Sequence, residues 1–204
     1  MNVGARLKNK GNLLRVKRKV KKPTAKTRVL ARRKAETIFE RAKKVLMQTF
    51  KNHPVTKEIE AGPNAGNSSG TLNGYGNLFS YIGFSAGARP IEVVLAALQD
   101  GVELDKKPVE KRSAKFMEYS FKVKIPTMEV LAAITPMPWE SGRSWLDGIE
   151  KGISGFSSYM YGRSNGRSGA AIQTRNVIRS GGFKNTQYMS KILKDFKTEL
   201  KKRR

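Results

Sequence analysis

The sequence predicts an α+β fold: a small antiparallel sheet packed with helices, preceded by a disordered or extended basic N-terminal arm. Three observations predict it. Apolar residues recur at spacings of three and four between Leu30 and Lys51. They alternate with polar residues between Lys115 and Ile125, and they return every four residues between Thr186 and Lys202. The first and last patterns suit helices with one apolar stripe, and the middle one suits a strand with one buried face. Helices flanking a short run of strands give a mixed, segregated architecture.

The arm comes first. Residues 1–35 hold 14 Lys and Arg and no acid, while residues 36–139 hold 13 basic and 11 acidic residues, a net of 13 − 11 = +2. The run from Arg15 to Lys22 places six charges (Arg15, Lys17, Arg18, Lys19, Lys21 and Lys22) in eight residues before Pro23. Alone, such a run buries too little apolar surface to offset its ordering entropy and is expected to be disordered or transiently helical. Residues 1–34 are therefore taken as an arm and 35–204 as a single domain, and deleting 1–34 is expected to spare folding and impair assembly.

Ala35, Ile38, Phe39, Ala42, Val45, Leu46 and Phe50 line one face of the first helix, which His53-Pro54 stops. Residues 61–88 are rich in Gly, Asn and Ser and form a glycine-rich loop, within which Leu78 to Phe84 is expected as a strand or wide loop segment. Arg89-Pro90 opens a short helix through Leu98. Val102 to Leu104 and Lys115 to Ile125 are two strands joined by a charged turn at Asp105-Lys106-Lys107-Pro108. Met128 to Ile134 is a brief apolar segment closed by Pro136 and Pro138. Trp139 to Phe156 has helical spacing interrupted by Gly142, Gly148 and Gly152, so that helix needs neighbours. Residues 162–185 are an Arg/Gly-rich loop, and the terminal helix ends in Lys201-Lys202-Arg203-Arg204, where cations suit the negative end of the helix dipole.

The net charge of +25 directs the chain toward an acidic partner: nucleic acid, an acidic membrane surface or an acidic protein. The candidate contacts are the six cations of the arm together with Arg163, Arg167, Arg175 and Arg179, which are spaced along open backbone with no acid between Glu150 and Asp195. A solvated tail and a mobile loop account for the same residues. The absence of cysteine excludes disulfides, thiolate metal sites and Cys nucleophiles. No stretch approaches the roughly 18 apolar residues of a membrane span, and no apolar signal core follows the basic N-terminus, so a soluble, unsecreted protein is expected.

No enzyme and no cofactor are expected. The single histidine, His53, sits at a helix end and suits capping or packing. The carboxylate pairs Glu58 and Glu60, Glu103 and Asp105, and Asp147 and Glu150 have basic neighbours but lack the supporting residues of a hydrolase. Glu118, Lys122 and Lys124 share the polar face of the predicted strand, where solvation explains them as well as a nuclease would. Residues 62–76 lack the Lys-Ser/Thr ending of a phosphate-binding loop.

The basic amphipathic helix, His53-Pro54-Val55, then Gly76-Asn77-Leu78-Phe79-Ser80-Tyr81-Ile82, the alternating strand and the closing helix together resemble the neck or tail-completion proteins of tailed bacteriophages. Those proteins carry a helix, a Pro-Val pair, a Gly-x-Leu-x-x-Ser-Ile-like segment and then strands. The likeness runs in order over about residues 30–125, with Gly76, Asn77, Leu78, Ser80 and Ile82 carrying the loop motif. It departs from the pattern in three places: about 20 residues separate Val55 from Gly76, Phe79 stands where a basic residue follows the leucine, and residues 126–185, with Trp139, Trp145 and the arginine-glycine stretch, have no counterpart. The resemblance implies a head–tail connector or tail-completion subunit in the virion, made in the host cytoplasm. It also implies a homo-oligomeric ring around the DNA channel, touching other neck, tail or portal proteins and DNA, with no membrane partner. A cellular nucleic-acid-binding protein with a basic tail, for example one associated with ribosomal RNA, is the alternative that the charge distribution leaves open.

Overall fold

The computed structural model describes residues 12–18, 24–72, 76–112, 116–152 and 184–201, which form two compact units. The first draws on residues 1–47, 98–126 and 193–204, the second on 48–97 and 127–192.

The sheet of the first unit is centred on β4 (Met117–Lys124). Strand β1 (Leu13–Arg18) pairs antiparallel along one side, from Leu13 opposite Lys122 to Arg18 opposite Met117. Along the other side lie β2 (Glu103–Leu104) and β3 (Val109–Arg112), both antiparallel to β4. The alternation read from the sequence is the burial pattern of β4: Met117, Tyr119, Phe121 and Val123 are buried, and the residues between them are not. The β2–β4 pair matches the expected hairpin, but residues 109–112, between its charged turn and the second expected strand, supply the additional strand β3.

Helix α1 (Ala25–Asn52) starts five residues before the expected Leu30. Ala31, Ala35, Phe39, Ala42 and Leu46 give it a buried stripe at spacings of three and four, as the periodicity requires. The hydroxyls of Thr27 and Tyr119 meet at 3.0 Å, which ties the helix to β4. Lys43 Nζ donates to Gln99 O at 2.6 Å and Val102 O at 2.9 Å, carbonyls at and just beyond the C-terminus of α4 (Pro90–Gly101), where a cation meets the negative helix end.

One expectation is corrected here. The segment read as a free arm is the strand β1 over residues 13–18, and α1 begins at residue 25. Leu14 and Val16 are each 3% exposed and stand opposite Phe121 and Tyr119. Charge density set the arm expectation. Two apolar side chains in alternation, completed by the partner strand, overrule it, because pairing supplies the buried face that an isolated run lacks. Deleting residues 1–34 therefore removes β1 and the first turns of α1 and is not expected to spare the fold. Lys19, Lys21, Lys22, Arg163, Arg167, Arg175 and Arg179 lie outside the described residues.

The second unit contains α2 (Pro54–Glu60), a 3₁₀ turn at Gly62–Asn64, α3 (Leu78–Ile82), most of α4, α5 (Met128–Ala133), a hairpin of β5 (Pro136–Met137) and β6 (Glu140–Ser144), α6 (Trp145–Lys151) and the start of α7 (Met189–Glu199). Two further expectations change. Leu78 to Ile82 is a helix rather than a strand or wide loop, because Asn77 caps it and four of its five residues are buried, so no polar face reveals its period. Trp139 does not begin a helix: Pro138 and Trp139 form the turn of the β5–β6 hairpin, Gly142, at φ 83°, sits where the register of β6 shifts, and Ser144 caps α6 from Trp145. The remainder of that expected helix, residues 153–156, is outside the described residues. The final helix falls inside its expected range.

Candidate polyanion interface

Antiparallel register places directly opposed residues on the same face of a sheet. In the first unit one face is the buried one. The opposite face collects Leu13, Arg15 and Lys17 of β1, Glu118, Ser120, Lys122 and Lys124 of β4, Val109 and Lys111 of β3, and Glu103 of β2. Five cations share this face with two carboxylates, a net of 5 − 2 = +3. The side chains of Arg15 and Lys17 are 53% and 49% exposed, and Lys111, Lys122 and Lys124 are exposed as well.

Glu118 is the one acid toward the middle of the face. Its side chain is 15% exposed and lies 3.6 Å from Arg15 Nε and 3.7 Å from Lys17 Nζ, with Lys111 directly opposite in register. Lys17 also sits 4.6 Å over the Phe116 ring. At the β2 end, Lys124 Nζ donates to Glu103 Oε2 at 2.9 Å, which holds the Glu103 carboxyl below its ordinary pKa and the Lys124 ammonium above its own. Among the described residues no ion pair engages Lys111 or Lys122. Glu110, on the other face, pairs with Arg28 Nε at 2.5 Å, and the hydrogen bond lowers the Glu110 pKa.

Of the predicted contacts, Arg15 and Lys17 therefore lie on this face, and Arg18 ends β1 opposite Met117. Lys122 and Lys124 were read as a solvated polar face, which their exposure matches. Lys111 was missed. Its signal is the alternation of Val109, Glu110 and Lys111, three residues that look like turn when charge is weighed above period.

The motif residues occupy a different constellation in the second unit. Glu58 of α2 is 1% exposed, and its carboxylate accepts from Leu78 N at 2.8 Å and Ser69 N at 2.7 Å. Asn77, 5% exposed, donates to Pro63 O at 2.8 Å and Ala65 O at 3.1 Å while its oxygen accepts from Ser80 N at 2.9 Å. Gly76 has φ 79°, and Gly83, which closes α3 at φ 88°, leaves a position where a Cβ would lie 3.2 Å from Trp139 Cδ1. Trp139 Nε1 donates to Ile82 O at 2.8 Å. The loop motif is thus a set of backbone ties, with Glu58 as the residue that sequence reasoning treated only as half of a carboxylate pair.

The third carboxylate pair singled out in the sequence, Asp147 and Glu150, has scaffold partners too. Asp147 pairs with Lys151 at 2.6 Å, and Glu150 accepts from Tyr188 N at 3.3 Å and Ser190 N at 2.7 Å at the start of α7. His53 caps α2, its Nδ1 accepting from Val55 N at 3.3 Å. Among the described residues no group of three His, Cys, Asp or Glu is placed to hold a metal ion, and no helix is long and apolar enough to cross a membrane.

Compared with known proteins, the chain matches no family model, and no curated protein or solved structure matches it.

Proposed function

We propose that the protein is a non-enzymatic structural subunit of a tailed-bacteriophage neck or tail, a tail-completion or head–tail connector component that assembles into a ring around the DNA channel. The observation that carries this reading is the hydrogen bond from Leu78 N to Glu58 at 2.8 Å. In the family that the sequence resembles, the Pro-Val pair and the glycine-leucine segment nearly adjoin. Here about 20 residues lie between Val55 and Gly76, yet Glu58, three residues after Val55, holds the first residue of α3. The helix that carries Val55 and the glycine-leucine segment are thus tied together in space despite the residues between them, which supports the reading.

The element order also supports it: a long basic amphipathic helix, a proline break, a short capped helix and a central alternating strand. Among the described residues, the outer strands on both sides of the small sheet have one unpaired edge each, which offers backbone groups for a neighbouring subunit to complete.

Mass photometry and negative-stain imaging at micromolar concentration test the proposal, with the chain alone and mixed with phage neck and portal proteins. A closed ring of fixed order is expected in at least the mixed sample. Monomers in both samples overturn it.

A further inference from the structure

We infer that the exposed face of the four-stranded sheet is a binding surface for the phosphate backbone of double-stranded DNA. Arg15 and Lys17 on β1, Lys122 on β4 and Lys111 on β3 are its contacts, and Glu118 is the residue that tempers it. This inference is independent of the ring assembly and holds for a monomer.

Three features carry it. The register sets the cations in adjoining columns, with residues two apart along a strand separated by about 7 Å and neighbouring strands by about 4.8 Å. That makes a broad charged field rather than a single anion cleft. The cations stand on a paired sheet, so their positions do not depend on ordering a loop. Lys111 and Lys122 engage no ion pair among the described residues and are available to an external anion.

The composition of the face favours a phosphate backbone over an acidic protein. A protein interface of ordinary affinity is anchored by buried aromatic or arginine side chains surrounded by a rim that excludes water. Here the apolar members are Leu13 and Val109 near the margins and the half-buried Phe116 ring beneath Lys17, Val109 is 69% exposed, and the centre is Ser120 and Glu118 among cations. Lysine and arginine contacts to phosphate position a duplex without reading its sequence, so binding is expected to be indifferent to sequence.

Glu118 gives the surface its internal control. Lying within 4 Å of both Arg15 and Lys17, its carboxylate competes with phosphate for them. Replacing it by an uncharged isostere releases both cations.

The test is a salt titration of binding to a 30-base-pair duplex of mixed sequence, using the full chain. Lys111→Gln with Lys122→Gln is expected to weaken binding about tenfold at ~50 mM salt and to flatten the slope of log K against log salt by about 2, one counterion for each lost contact. Glu118→Gln is expected to tighten binding. Lys57→Gln with Lys194→Gln removes the same charge from exposed positions in other elements and is expected to leave the slope near wild type. Thermal melts by circular dichroism confirm that each variant is folded.

The inference is overturned if the face and control variants behave alike, or if the wild type fails to bind DNA at ~50 mM salt. It is also overturned if the face variants lose binding to polyglutamate while keeping DNA affinity, which assigns the face to an acidic protein. Because no step involves ring assembly, a DNA result in either direction leaves the oligomer test intact.

Discussion

The carboxylate of Glu58 and the backbone N–H of Leu78 meet at 2.8 Å in a place where Glu58 is 1% exposed. The same carboxylate accepts from Ser69 N at 2.7 Å, so one side chain satisfies two backbone donors on the glycine-rich segment. A buried donor left without an acceptor costs about 1–3 kcal/mol, and bonds to an ionised acceptor are the stronger kind. Glu58→Ala is therefore expected to lower stability by about 2–4 kcal/mol. Glu58→Gln, which keeps one acceptor oxygen, is expected to lose about half of that. Urea unfolding curves for the three proteins check the order, and an alanine variant as stable as wild type would show that the loop is held by other contacts.

The strand built from the basic run makes a second prediction. Leu14 is 3% exposed opposite Phe121, while Arg15 beside it is half exposed on the outer face. Leu14→Ala leaves a cavity and is expected to cost about 2–4 kcal/mol. Arg15→Ala removes only a partly exposed ion pair and is expected to change stability by less than about 1 kcal/mol. Chemical denaturation separates the two, and equal, small effects would return this segment to the status of an arm.

A third prediction concerns pH. Burial of the His53 ring, reinforced by the charge of Lys191, lowers its pKa below 6.5, against weaker opposing effects of the Gln187 backbone and Glu150. The ring also packs on Tyr188, with centroids 4.8 Å apart. The unfolded chain then binds the proton at higher pH than the folded chain does, so stability rises with pH across that interval. The His53 contribution is complete above about pH 6.5 and declines as pH falls toward the lower, folded-state value. His53→Asn keeps a capping acceptor without a titrating ring. The difference in stability between wild type and this variant is expected to be flat above pH 6.5 and to move against the wild type below it, as measured by melting temperature at fixed ionic strength. A difference that stays flat throughout would mean the imidazole titrates as it does in water.

Much of this molecule is local information. The stripe from Ala31 to Leu46 and the alternation from Met117 to Val123 each identify an element without knowledge of its neighbours, because a helix and a strand impose different periods on whatever is buried. The uneven placement of charge is equally visible in the sequence. Tertiary structure decided the rest, wherever a side chain's role depends on what arrives from elsewhere in the chain. Leu14 and Val16 are two apolar residues in a run of cations until β4 gives them a core to face. Leu78 to Ile82 has no polar side to show its period, so its capping by Asn77 and its tie to Glu58 settle the conformation. Lys111, Lys122 and Arg15 are 11 to 107 positions apart in sequence, and only strand register makes them one surface. Periodicity is a property of one segment, whereas pairing and buried hydrogen bonds are properties of two, and a single sequence displays only the first directly.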